Sequence, residues 1–81
     1  MPAMQIPERI AFRAVAAWIP IPDQPAEAIA ITSDDSGFAV HSCYLQDGRW
    51  EATAGHYDIA RYEKALRVAI DRLGRGISDR R

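Results

Sequence analysis

The stretch Asp58 to Leu73, DIARYEKALRVAIDRL, leaves this chain the least freedom. Ile59, Tyr62, Leu66, Ala69, Ile70 and Leu73 recur at spacings of three and four, which at 3.6 residues per turn puts them on one stripe. The spacing predicts an amphipathic helix. Asp58 is placed to accept from the free N–H groups of its first turn, Tyr57 and Tyr62 to staple its entry, and Gly74 to end it in a left-handed residue. Such a helix must lie on something apolar, which the rest of the chain has to supply.

Length limits what can be supplied. The 81 residues make one small domain, and a chain of this size buries only about 60–65% of the surface its unfolded form exposes. An apolar fraction of 48% with 26% charged residues excludes a disordered chain. No apolar run approaches the ~18–20 residues of a bilayer span, and the N-terminus lacks the basic start and apolar stretch of a secretory signal. A cytoplasmic location is therefore expected. One cysteine, Cys43, excludes an internal disulfide framework and suits a reducing compartment.

Residues 1–7 read as an extended lead-in. Residues 8–19, ERIAFRAVAAWI, read as a strand in which Ile10, Phe12, Ala14, Ala16 and Trp18 share a face; a short helix behind Pro7 is the alternative. Ile19 to Pro25, IPIPDQP, reads as a stiff proline-spaced connection. Glu27 to Thr32 reads as a strand and Ser33 to Gly37 as a polar turn.

Phe38 to Gln46 and Arg49 to Ala54 read as a hairpin around Asp47-Gly48, the dipeptide suited to a type I′ turn. Its register pairs Gln46 with Arg49, Leu45 with Trp50, Tyr44 with Glu51, Cys43 with Ala52, Ser42 with Thr53 and His41 with Ala54. One face then carries Ala39, His41, Cys43 and Leu45, small enough for a helix to approach. The other carries Phe38, Val40 and Tyr44. The expected fold is α+β: a three- to four-stranded antiparallel sheet with the C-terminal helix packed on the first face. Phe38, Val40 and Tyr44, together with Trp50, are then expected to form an interface for a protein partner or a second copy, because soluble monomers seldom expose such a patch.

Chemistry-bearing groups are few. His41, Cys43 and His56, with Asp58 as a fourth, lack the usual ligand spacing of a zinc site, so no metal and no cofactor are expected. A Cys43 nucleophile with a histidine base lacks an orienting third group and a glycine-built oxyanion loop, and no enzyme is expected. Asp34 and Asp35 before Ser-Gly read as turn formers, and Gly74-x-Gly76 follows a helix where a phosphate loop would open one.

The net charge of −1 hides an asymmetry. Residues 1–60 carry a net −5 and residues 61–81 a net +4. The basic set Arg61, Lys64, Arg67, Arg72, Arg75, Arg80 and Arg81, the last three in the basic tail 75–81, carries a nucleic-acid reading, with Arg61, Lys64, Arg72 and Arg75 as the candidate contacts, although Glu63 and Asp71 sit at i,i+4 from Arg67 and suit ordinary helix-surface pairs.

The order strand, strand, strand, helix, with DDSGFAV followed by EKALRVAI, resembles the partial RNase-H-like antitoxins. With residues 8–19 helical, the order would resemble a double-stranded-RNA-binding domain, but Asp58-Ile59-Ala60-Arg61 stands where that family has paired lysines. Neither resemblance covers a specific motif, and neither assigns a residue a role. The expected function is that of a small non-enzymatic interaction or regulatory protein, an adaptor, inhibitor or antitoxin, docking a sheet or helix surface on a macromolecule or on itself. The alternative is a nucleic-acid-binding module using the basic helix and tail.

Overall fold

The structure, a computed structural model, describes residues 6–79. Five antiparallel strands, β1 (Arg9–Ile10), β2 (Arg13–Ile21), β3 (Gln24–Asp34), β4 (Gly37–Gln46) and β5 (Arg49–Ile59), are followed by one helix, α1 (Tyr62–Asp79). Each strand pairs with its neighbour in sequence, and the sheet curls into a nearly closed, barrel-like layer in which β1 approaches β5. This overturns the expected three- to four-stranded sheet.

The extra strand β1 and the lengthening of β2 and β3 come from turns with weak sequence signals. Within residues 8–19 the chain reverses at Ala11-Phe12, both at positive φ (52° and 64°), the two-residue geometry of a type I′ hairpin without glycine or asparagine. Phe12, expected to share a strand face with Ile10 and Trp18, is instead 95% exposed at that tip. IPIPDQP is a hairpin and not a connection: Ile21 pairs with Gln24 around Pro22 and Asp23, the latter at φ 64°. Pro20 lies in β2 beyond the reach of β1, on an edge where a missing N–H is tolerated, and Pro25 lies in the register break between Gln24 and Ala28. At the β3–β4 turn, Asp34 Oδ1 accepts from the Ser36 N–H (2.7 Å) and hydroxyl (2.6 Å). Gly37 follows at φ 124°, where a Cβ would meet the Ile59 carbonyl oxygen at 2.8 Å.

Bulges decide which side each residue faces. In β2 the register shifts between Val15 and Ala17, so Val15 and Trp18 both turn inward while Ala17 and Ile19 turn toward the helix. The β4–β5 register agrees with the sequence from Gln46–Arg49 to Cys43–Ala52, with Asp47 and Gly48 at φ 54° and 79°. It then shifts, and His41 pairs with Gly55 where Ala54 was expected.

Two cores result. The inner face of the curled sheet is filled by its own side chains: Ile10, Ala30 and Cys43, with Val15, Trp18, Trp50 and Ala52 against them. The small residues of β4 therefore serve tight curvature and leave no room for a helix. The helix packs on the opposite face, over Ile29, Ile31 and Val40, with Ile21 and Ile59 in the same cluster. That placement reverses the expected one.

The helix also starts and ends later than its stripe implies. β5 runs through Asp58, whose φ of 63° is not the geometry of an N-cap, and the Arg61 carbonyl accepts the first bonds, from the N–H groups of Lys64 and Ala65 (3.1 Å each). Gly74 lies inside the helix, at a cost of about 1 kcal/mol relative to Ala. Ala65 and Ala69, fully buried, form the line of contact, with Leu66, Val68 and Leu73 half-buried beside it; Ile70 is 62% exposed. No helix among the described residues is long and apolar enough to cross a membrane.

Candidate anion-binding groove

The rotation of α1 that seats Ala65 and Ala69 on the sheet carries Arg61, Lys64, Arg67 and Arg72 to the flank nearest β5. Beyond its bulge, β5 presents His56 toward the same flank, and a groove of about 610 Å³ runs between them. Val68 contributes an apolar stretch of wall, and Glu63 and Asp71 the carboxylates. Four cations against two anions make the groove basic in a molecule whose net charge is −1.

The cations are held differently. Arg72 is half-buried and donates from Nη1 to Ser42 Oγ (3.0 Å), which ties the groove to β4. Arg61 approaches Glu63 at 4.0 Å with both side chains over 80% exposed, a contact worth little in water. Lys64 and Arg67 stand exposed along the wall. Water-facing cations gathered along a concavity suit a polyanion, whose charges can engage several at once.

A second polar cluster lies inside the sheet near the β3–β4 turn. Arg13, 8% exposed, donates from Nε to Thr32 Oγ1 (3.0 Å), from Nη1 to Asp34 Oδ2 (2.5 Å) and from Nη2 to the Gly37 carbonyl (2.9 Å), and its guanidinium lies over the Tyr57 ring. Thr32 Oγ1 continues the chain to His41 Nε2 at 2.9 Å. His41 is fully buried and its Nδ1 has no hydrogen-bond partner; the absence of a Cβ on Gly55 makes room for it, since one there would lie 2.9 Å from Nδ1. Burial, with Arg13 and Arg72 adding their charge, holds the His41 imidazole below its ordinary 6.5. Hydrogen bonds from Ser36, together with the nearby Arg13, hold the Asp34 carboxyl below 3.8.

A histidine buried in its neutral form makes stability depend on pH. Below pH 6.5 the unfolded chain takes up a proton at His41 that the folded one resists, so this contribution to stability is complete above 6.5 and is lost as pH falls toward the folded value. The slope for one proton is at most about 1.4 kcal/mol per pH unit. Urea midpoints should therefore fall as pH drops below about 6.5 and do so much less in His41→Gln. An equally steep fall in that variant would place the titration elsewhere. The Asp34 contribution is lost only as pH falls below 3.8.

The other candidates are dispersed. Val40 is fully buried beneath α1, and Phe38 is half-buried with its ring edge-on to Tyr62 at 5.6 Å, so the expected interface is covered by the helix. Tyr44 is half-buried on the same face, and Trp50 packs edge-on against Trp18 (4.8 Å) on the inner one. Cys43 is buried, its thiol pushed up to about 11, and its contact is to the His41 carbonyl and not the ring. Among the described residues no three His, Cys, Asp or Glu are grouped to hold a metal. Arg61, Lys64 and Arg72, chosen from the sequence, do share one groove. The side chain of Arg75, residues 1–5 of the lead-in, and Arg80 and Arg81 of the tail lie outside what the structure describes. Arg67, read in the same basic run, joins Arg61, Lys64 and Arg72, whereas Val68 and His56 were missed as groove residues, His56 because its place depends on a bulge.

No protein-family model, no curated protein and no solved structure matches this chain.

Proposed function

We propose that the protein is a small non-enzymatic binding module, of the adaptor or regulatory kind, that works in the cytoplasm by docking its α1–β5 groove on an anionic macromolecule. The observation that carries this is the gathering of Arg61, Lys64, Arg67 and Arg72 with His56 around one concavity in a chain of net charge −1. A local field of one sign raises the concentration of opposite charge and speeds encounter, and it does so without any pocket chemistry.

Retention on phosphocellulose tests it. At neutral pH a protein of net charge −1 is held by a phosphate-bearing matrix only through a patch. The wild-type chain should bind at about 50 mM salt and elute as the screening length shortens toward about 0.3 M. Arg61→Gln/Lys64→Gln/Arg67→Gln should flow through with its melting temperature unchanged, since all three side chains are exposed. Flow-through of the wild type at low salt would remove the reading.

A further inference from the structure

We infer that the occupant of the groove is a single nucleic-acid strand, its phosphates along α1 and a base against the His56 ring; this rests on the groove being an anion site. Arg61, the residue that leads into α1, and Lys64 and Arg67 within it follow one another at intervals of three along the groove, so their charges form a row and not a cluster. A row suits a ligand with anionic groups repeated along a line. Arginine at both ends of that row favours an oxyanion that can take a planar fork, which phosphate does.

The opposite side separates a nucleic acid from an acidic peptide. It offers His56, an exposed ring whose flat face can stack on a base, and Val68 supplies apolar surface on the helix side. Cations on one side, a ring on the other and an apolar contact between them match a chain that alternates phosphates with flat bases. An acidic peptide would use the cations but has no planar group for the ring. A duplex presents its bases stacked and its phosphates on two rails, and the cations of this groove lie on one side, on α1 and the residue that leads into it. Arg72, tied to Ser42, positions the wall.

Fluorescence anisotropy with the whole chain decides it, using labelled oligo-dT of about 12 nucleotides, a mixed-sequence duplex of the same length and an oligo-glutamate peptide. Three phosphate contacts on a single strand give a log–log salt slope near −2, roughly a twentyfold loss of affinity between about 50 and 200 mM salt. The triple Gln variant should lose the single strand at least about tenfold at low salt. His56→Ala should weaken it about fivefold or more while leaving oligo-glutamate unchanged, and His56→Phe, which keeps a ring, should restore it.

Oligo-glutamate binding as tightly as oligo-dT, with His56→Ala without effect on either, would overturn the nucleic-acid inference and leave the anion site standing. Tighter binding of the duplex would overturn the single-strand assignment. No binding of any probe, or binding unaffected by the triple variant, would overturn both the inference and the reading beneath it.

Discussion

Ile31→Ala is expected to lower the free energy of unfolding by about 2–5 kcal/mol, and Ile70→Ala by no more than about 0.5 kcal/mol. Ile31 is fully buried in the cluster between α1 and the sheet, so truncation removes apolar burial and leaves a cavity that the neighbouring strands cannot collapse into. Ile70 belongs to the apolar stripe of the sequence but is 62% exposed, because Ala65 and Ala69 make the close contact and rotate it outward. A domain of this length has only ~5–15 kcal/mol in total, so the first change brings much of the population near unfolding. Urea denaturation of the two variants side by side measures both. Equal losses would mean that α1 is seated through Ile70 and that its basic flank faces away from β5.

Arg13→Met should cost about 2–4 kcal/mol, although it replaces a charged side chain with an apolar one of similar length. Hydrogen bonds to a charged group contribute ~1.5–3 kcal/mol each, less when summed, and Arg13 makes three while joining β2 to both sides of the β3–β4 turn. Arg13→Lys should recover little, since one ammonium cannot reach a hydroxyl, a carboxylate and a carbonyl set apart like the teeth of a fork. Asp34→Asn should cost less than Arg13→Met, its side chain being 43% exposed. Full recovery by lysine in thermal melts would show that charge alone, without the fork, holds the turn.

The hairpin at Asp47-Gly48 was legible to the residue as far as Cys43 and Ala52, because a two-residue turn fixes the register of the two strands it joins. It failed beyond that point, where a bulge in β5 advances the pairing, and no side chain there announces it. The same bulge sets His56 on the groove side, so the groove's second wall was invisible while the cationic one, Arg61, Lys64 and Arg72, was readable from helix spacing. Asp58 and Gly74 are good capping residues by type, yet neither caps α1. The strand continues through Asp58, and the helix passes Gly74 to end at Asp79. Periodicity established that a helix existed but could not choose its contact line: two alanines closest to the sheet outweighed the larger Tyr62 and Ile70. One strand and the extension of two others escape a pattern reading, because Ala11-Phe12 turns without a turn residue and because the prolines of IPIPDQP, which argue against a strand, sit in this sheet at an edge and a bulge.

The helix that covers the sheet comes after every strand it covers. A chain growing from its N-terminal end can pair β1 through β5 hairpin by hairpin, each strand with the one just made, since no pairing skips a neighbour. The surface formed by Ile29, Ile31 and Val40 is covered only when the 18 residues of α1 dock on it. Without a docked α1 the curled sheet is a half-molecule with one adhesive side, and any opening that lifts the helix away presents that side to other chains.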